Sequence, residues 1–233
     1  MDIHKPKPWR GWPEFVKEIG TIVIGVLIAL AAEAVVEKLH ENRLSAEARE
    51  AVRDEINVDL TNMARRYAFE TCVVRRLDDL STLLDRAEAG GFSPVAAVHR
   101  PLAPYLFTQR WTAATAGGRT SLLSSEQQRA YGRVYEIIDL LRQDEAEELK
   151  AWIDLQALNG LRHLSPQTID DQRRAVARAR EWRGIVQQDF GEAKTYAAQL
   201  GIRGDAKLLV AAEPRTVRPY ICEPLSGAPA DRK

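Results

Sequence analysis

Residues 19–32 read IGTIVIGVLIALAA, fourteen positions without a charge, and Glu33 is followed at once by Ala34, Val35 and Val36. Nothing else in the chain restricts its fold so strongly. As one helix, residues 19–36 measure roughly 27 Å at about 1.5 Å per residue. A hydrocarbon core is about 30 Å thick, so the segment just crosses it, with Phe15 and Val16 entering the interface. Trp9 and Trp12 stand where an aromatic belt residue sits, and Lys17, Glu18 and Glu33 lie near enough to the two ends to keep their charged heads wet. The pattern predicts a transmembrane helix over 19–36 behind an N-terminal tail, 1–18. Two other assignments compete: a buried core helix, which a run of fourteen also fits, and a cleaved signal peptide. For the latter, Lys5, Lys7 and Arg10 precede the apolar run and Ala29-Leu30-Ala31 imitates a cleavage site. No helix breaker stands before those small residues, however, and the helical pattern runs on through Val36 and Leu39.

Flanking charge is evenly divided. Lys5, Lys7, Arg10 and Lys17 precede the span, and Lys38, Arg43, Arg49 and Arg53 follow it, so only the N-terminal amine tips the positive-inside rule toward a cytoplasmic N-terminus and an exported body. Within the span, Thr21, Gly25, Ala29 and Glu33 recur every four residues on one helical face. Small residues at that spacing let two helix backbones approach closely, and a carboxyl on the same stripe favours a protein neighbour over lipid.

Composition narrows what lies beyond the span. In 233 residues, 33 basic side chains face 33 acidic ones, 45% of the chain is apolar and 28% is charged. Those proportions exclude wholesale disorder, and the neutral balance argues against a nucleic-acid partner held by a basic field. No glycine or proline occurs from Glu37 to Glu88. Over that stretch Leu44, Ala48, Val52, Ile56, Leu60, Met63 and Tyr67, then Val74, Leu77, Leu80 and Leu84, recur at steps of three and four. The spacing predicts one long helix that leaves the membrane as a stalk and ends at Gly90-Gly91. Pro94, Pro101 and Pro104 keep the next stretch irregular, with a short helix over 105–111 and a small-residue loop over 112–125. Ser124 and Gln127 form a capping-box pattern ahead of a helix carrying Tyr131, Val134, Ile138, Leu141, Leu149, Trp152 and Leu155, with Asn159-Gly160 as its stop. Ser165-Pro166 opens another helix, striped by Ile169, Val176, Ala179, Trp182 or Arg183, Val186, Phe190, Ala193, Ala197 and Leu200, and ending at Gly201.

The expected fold is therefore all-α: an N-terminal transmembrane helix continuing into an elongated antiparallel bundle of three to four helices over 37–212. Residues 207–211 offer one weak strand. The tail, 213–233, holds four prolines and predicts no regular element. Cys72 and Cys222 are the only cysteines. In an oxidising compartment they can pair and pin the tail to the first long helix; two buried thiols are the alternative in a cytoplasmic body.

Candidate chemistry is sparse. His4, His40, His99 and His163 are far apart, without metal-ligand spacing, and no CxxC motif occurs. Residues 115–120, TAGGRT, lack the lysine and spacing of a phosphate loop, and no GxSxG motif nominates a serine. Arginines gather as Arg65-Arg66, as Arg75-Arg76, and as a run that includes Arg173, Arg174 and Arg178. That last set is a possible anion site, since guanidinium forks suit phosphate and carboxylate; a solvated face of salt bridges is the plainer account. Trp111, Trp152 and Trp182 fit core packing better than a ligand pocket. No catalytic residues, metal ligands or cofactor are expected.

The stretch 18–30, EIGTIVIGVLIAL, followed by a charged helix, resembles a group of bacterial membrane proteins whose N-terminal span reads E-[IF]-x3-V-x-G-V-x-I-A-L. Residues 14–60 carry the resemblance, and Ala31-Ala32-Glu33 departs from it, since more polar or aromatic residues follow there in that group. The resemblance implies a bacterial inner-membrane, single-pass protein and supplies no activity. Together these features point to a non-enzymatic, membrane-anchored helical protein that acts as a scaffold or accessory subunit of an inner-membrane assembly, with a periplasmic body. Thr21, Gly25, Ala29 and Glu33 would contact a membrane-protein partner or a second copy. The alternative is a ligand-sensing bundle that binds a small anion or metabolite.

Overall fold

The computed structural model describes residues 11–204 and 220–225. The N-terminal tail before Gly11, the weak strand at 207–211 and most of the proline-rich tail lie outside the described residues. Within them the chain is all-α: α1 (Trp12–Tyr67), α2 (Glu70–Glu88), α3 (Gln109–Ala116), α4 (Ser125–Gln156) and α5 (Pro166–Gln199), with two 3₁₀ turns, Arg119–Leu122 and Tyr220–Cys222.

The helix starts follow from local chemistry. At the head of α4 the Ser124 hydroxyl accepts the Gln127 N–H at 3.2 Å while the Gln127 side-chain oxygen accepts the Ser124 N–H, which closes the capping box. At α5 the Ser165 hydroxyl accepts from the Thr168 N–H at 3.1 Å, and Pro166 occupies the first turn where no amide donor is needed. The short helix falls later than expected, over Gln109–Ala116, and part of the expected small-residue loop is helical.

The predicted stalk is divided. α1 stops at Tyr67, and Phe69 leaves helical geometry at φ −112° and ψ 17° before α2 begins. No proline or glycine causes this. The break coincides with a buried ion network, in which Arg66 on one side binds Glu148 of α4 while Glu70 on the other binds Arg183 of α5. The apolar stripe slips by one position across it: Val73 is fully buried and Val74, its expected representative, is exposed.

Pairings give the directions of the arms. Tyr135 reaches Val52 and Glu55, and Glu148 reaches Arg66, so α4 runs parallel to α1. Arg53 binds the Leu200 carbonyl and Arg173 binds Asp85, so α5 runs antiparallel to α1 and α2. Three arms, with α1 and α2 as one broken arm, share two core clusters end to end. Val52, Ile56, Leu60 and Met63 meet Tyr131, Ile138, Val186 and Phe190 in one; Val73, Leu77, Leu80 and Leu84 meet Trp152, Leu155, Val176 and Ala179 in the other.

Because α1–α2 and α4 point the same way, the chain must return the length of the bundle between them. Residues 89–108 do so as an extended strap. Val95 forms an isolated parallel bridge with Asn159 and accepts from the Gly160 N–H at 3.0 Å, and the Asn159 side chain accepts from the Val98 N–H at 2.6 Å. Asn159-Gly160 thus ends α4 and also anchors the strap. Gly160 sits at φ +71°, a conformation that favours glycine.

Candidate functional site

α1 runs without interruption from Trp12, through the apolar segment, into the folded body. Over an 18-residue window it is long and apolar enough to cross a membrane, and none of that window is buried within the chain. Ile22, Ile24, Leu27, Ile28 and Leu30 are all more than half exposed. This makes α1 a candidate membrane span that the body leaves uncovered. A core helix would be buried, so the first competing assignment fails.

Thr21, Gly25, Ala29 and Glu33 lie along this exposed stretch. The Thr21 hydroxyl returns to the Lys17 carbonyl at 2.9 Å, which satisfies it within its own helix. A Cβ at Gly25 would meet no atom within 4 Å, so that surface is open to a neighbouring helix backbone.

Cys72 and Cys222 are joined by a disulfide, their Cα atoms 4.8 Å apart. The bridge holds the 220–225 segment on α2, where Ile221 and Cys222 are buried, and a disulfide suggests an oxidising compartment.

Arg173, Arg174 and Arg178 do not converge. Arg173 binds Asp85 at 2.8 Å and Glu88 at 2.6 Å on α2, Arg174 binds Asp171 on its own helix, and Arg178 binds Asp154 of α4 at 2.5 Å. Each positive charge is matched by a carboxylate, and the three point toward different helices. The arrangement is that of a salt-bridged face, and no anion cup forms between them.

Inside the bundle lie charges that periodicity did not flag. Arg66, 2% exposed, donates to both carboxylate oxygens of Glu148 at 2.8 and 3.0 Å and to Glu70 at 3.2 Å. Burial opposes its charge, but Glu148 and Glu70 outweigh that and hold its pKa above the usual value. Glu145 nearby is pushed up to about 8, mainly by burial. Nearer the apolar segment, Glu55 accepts the Arg110 and Trp111 N–H groups that open α3 and the Tyr135 hydroxyl at 2.8 Å. Asp59 accepts the Phe107 N–H at 2.9 Å, and burial raises its pKa to about 8.

Glu55 and Asp59 stitch the loop region to α1. The cavity beside Glu145, Glu148 and Trp152, beneath residues 100–103, holds about 20 Å³, space for one water and no substrate. Among the described residues no three metal-ligating side chains gather. His99 stacks on Tyr220, with ring centroids 5.2 Å apart, and Trp111 stacks on Tyr135. Trp152 is fully buried, so packing accounts for it. One signal for the buried arginines was in the sequence: adjacent helical residues lie about 100° apart, so in Arg65-Arg66 and Arg75-Arg76 only one of each pair can face inward. Comparison with protein-family models, with curated proteins and with solved structures gave no match.

Proposed function

We propose that this protein is a non-enzymatic, membrane-anchored helical scaffold or accessory subunit of a bacterial inner-membrane assembly, and that its apolar helix binds a membrane-protein partner or a second copy. One observation carries the proposal: an apolar segment left unburied by the described residues, yet continuous with a folded body. A segment that served only to be removed would need no such continuity. Water-exposed apolar surface of this extent is unfavourable at about 25 cal/mol per Å², and lipid together with a packed partner helix removes it.

Gly25 and Ala29 would form the close-approach face, with Thr21 and Glu33 on the same stripe. The disulfide favours a body exported to the periplasm, with the N-terminus in the cytoplasm. Purification in mild detergent tests the proposal. The wild-type chain should elute with a partner or as an oligomer, and Gly25→Leu with Ala29→Leu should release it. A strictly monomeric wild-type chain with no co-purifying protein would overturn it. Labelling of intact spheroplasts with a membrane-impermeant thiol reagent tests the topology: reaction only after reduction is expected, and reaction only after lysis and denaturation would place the body in the cytoplasm.

A further inference from the structure

A cavity of about 540 Å³ opens between α2, residues 93–95 at the start of the strap, and the 220–225 segment. That volume falls in the range of sites that take small organic ligands. Its wall carries three arginines, Arg75, Arg76 and Arg86, whose situation differs from that of every arginine singled out on α5. Arg173, Arg174, Arg178, Arg180 and Arg183 each meet a carboxylate. Among the described residues Arg75, Arg76 and Arg86 form no ion pair.

Arg76 is the sharpest case. It is 1% exposed, and its Nη2 donates to the backbone carbonyls of Ile221, at 3.4 Å, and Glu223. Its Nε and Nη1 have no hydrogen-bond partner, and these carry three of the guanidinium's five N–H donors. A buried cation with unfilled donors is unfavourable until an acceptor arrives. Burial accordingly depresses its pKa below the usual arginine value, with Asp79 and Glu223 acting against that.

We propose that this cavity binds a small organic anion, a carboxylate or phosphate on a short carbon skeleton, whose negative charge answers the unpaired Arg76 guanidinium that borders it. Arg75 and Arg86 add charge at the exposed rim, and Leu83 and Val95 offer an apolar surface to the skeleton. Three arginines against Asp79 and Glu223 leave the lining with one net positive charge, which suits a mono- or dianion better than a polyanion. The far wall exists because the Cys72–Cys222 bridge holds it, so binding should require the oxidised protein. From Leu39 to the end of α1 is roughly 40 Å of helix at about 1.5 Å per residue, which places a soluble anion at the site and not a headgroup of the membrane the span occupies.

The test uses the full-length chain in detergent, with succinate and inorganic phosphate as probes and sodium chloride matched for ionic strength. At least one probe should raise the melting temperature by several degrees over chloride. The rim variant Arg75→Gln with Arg86→Gln, which keeps the buried residue, should weaken that probe at least tenfold in a titration, and reduction of the disulfide should abolish binding. Arg173→Gln with Arg178→Gln should leave the affinity unchanged. Arg76→Met should abolish binding while the chain still melts cooperatively; if it fails to fold, the rim variant decides. No shift with either probe, or equal affinity in the rim variant, overturns the proposal. Succinate affinity should be the same in nanodiscs of phosphatidylcholine and of phosphatidylglycerol. Competition by the latter would assign the cavity to a lipid headgroup and overturn the soluble ligand.

Discussion

The two halves of α1 invert the usual rule of what goes inside. In its first half Ile24 and Leu27 are each 59% exposed, while in its second half Asp59 is 1% exposed and Arg66 2%. One unbroken helix thus leaves its apolar side chains uncovered and, about 35 residues on, hides ionisable ones. The difference lies in the neighbours. The apolar window of the first half is not buried by any of the described residues and calls for an apolar surrounding. The second half is enclosed by α4, α5 and the end of the strap, and its polar groups are held there because Glu148, the Phe107 N–H and the α3 amides answer them. Burial in this protein therefore follows pairing as much as hydrophobicity.

The largest effect comes from putting charge where nothing answers it. Ile24→Arg with Leu27→Arg should cost about 2.5–3.5 kcal/mol per residue at mid-membrane and shift the chain out of the carbonate-washed membrane fraction, while the melting of the bundle stays as it was. The converse is to remove an answer. Arg66→Met alone leaves Glu148 buried and unpaired, a loss of about 3–5 kcal/mol, read as a melting temperature lower by about 10 °C. Arg66→Met combined with Glu148→Met should recover most of that.

The bridge sits at the junction of the two halves' arm with α2, and losing it has a smaller effect. Cys72→Ser should destabilise by about 2–4 kcal/mol; wild-type melting should fall on reduction and the variant's should not respond. The effect of Asp59→Asn shows in the pH dependence of stability. The folded chain holds the Asp59 proton up to about pH 8, against 3.8 ordinarily, so the folded state binds the extra proton across that window and stability falls as pH rises through it. Asparagine keeps the acceptor for the Phe107 N–H and cannot ionise. Thermal melts from pH 4 to 8 should show a shallower decline for the variant, and a gain over wild type at pH 8.

The helical stripes were legible because hydrophobic spacing alone decides them. Val52, Ile56, Leu60, Tyr131, Ile138, Val186 and Phe190 all fall in the core as spaced, and the Ser124–Gln127 and Ser165–Pro166 starts form as written. The break at Ala68 and Phe69 was not legible, since no proline or glycine marks it and the ion pairs that coincide with it reach across the bundle to Glu148 and Arg183. The strap was hidden for a related reason. An extended segment held by Asn159, Asn62 and Asp59 leaves no period to count. Arg173, Arg174 and Arg178 form the salt-bridged face that was the plainer account of them, but type and spacing do not show who pairs with whom, and Arg76, one of an ordinary-looking pair, has donors to spare.

The continuity of α1 has a mechanical consequence. No glycine or proline interrupts it from Val26 to Tyr67, so the apolar segment and the bundle are joined without a hinge. A tilt of about 20° at the span, ordinary for such helices, would carry the far end of α1 sideways by roughly 14 Å over the 40 Å beyond Leu39. Rotation of the span about its own axis would likewise turn the whole bundle with it. The helix is a lever and a drive shaft at once, and whatever grips the apolar end sets the aim of the other.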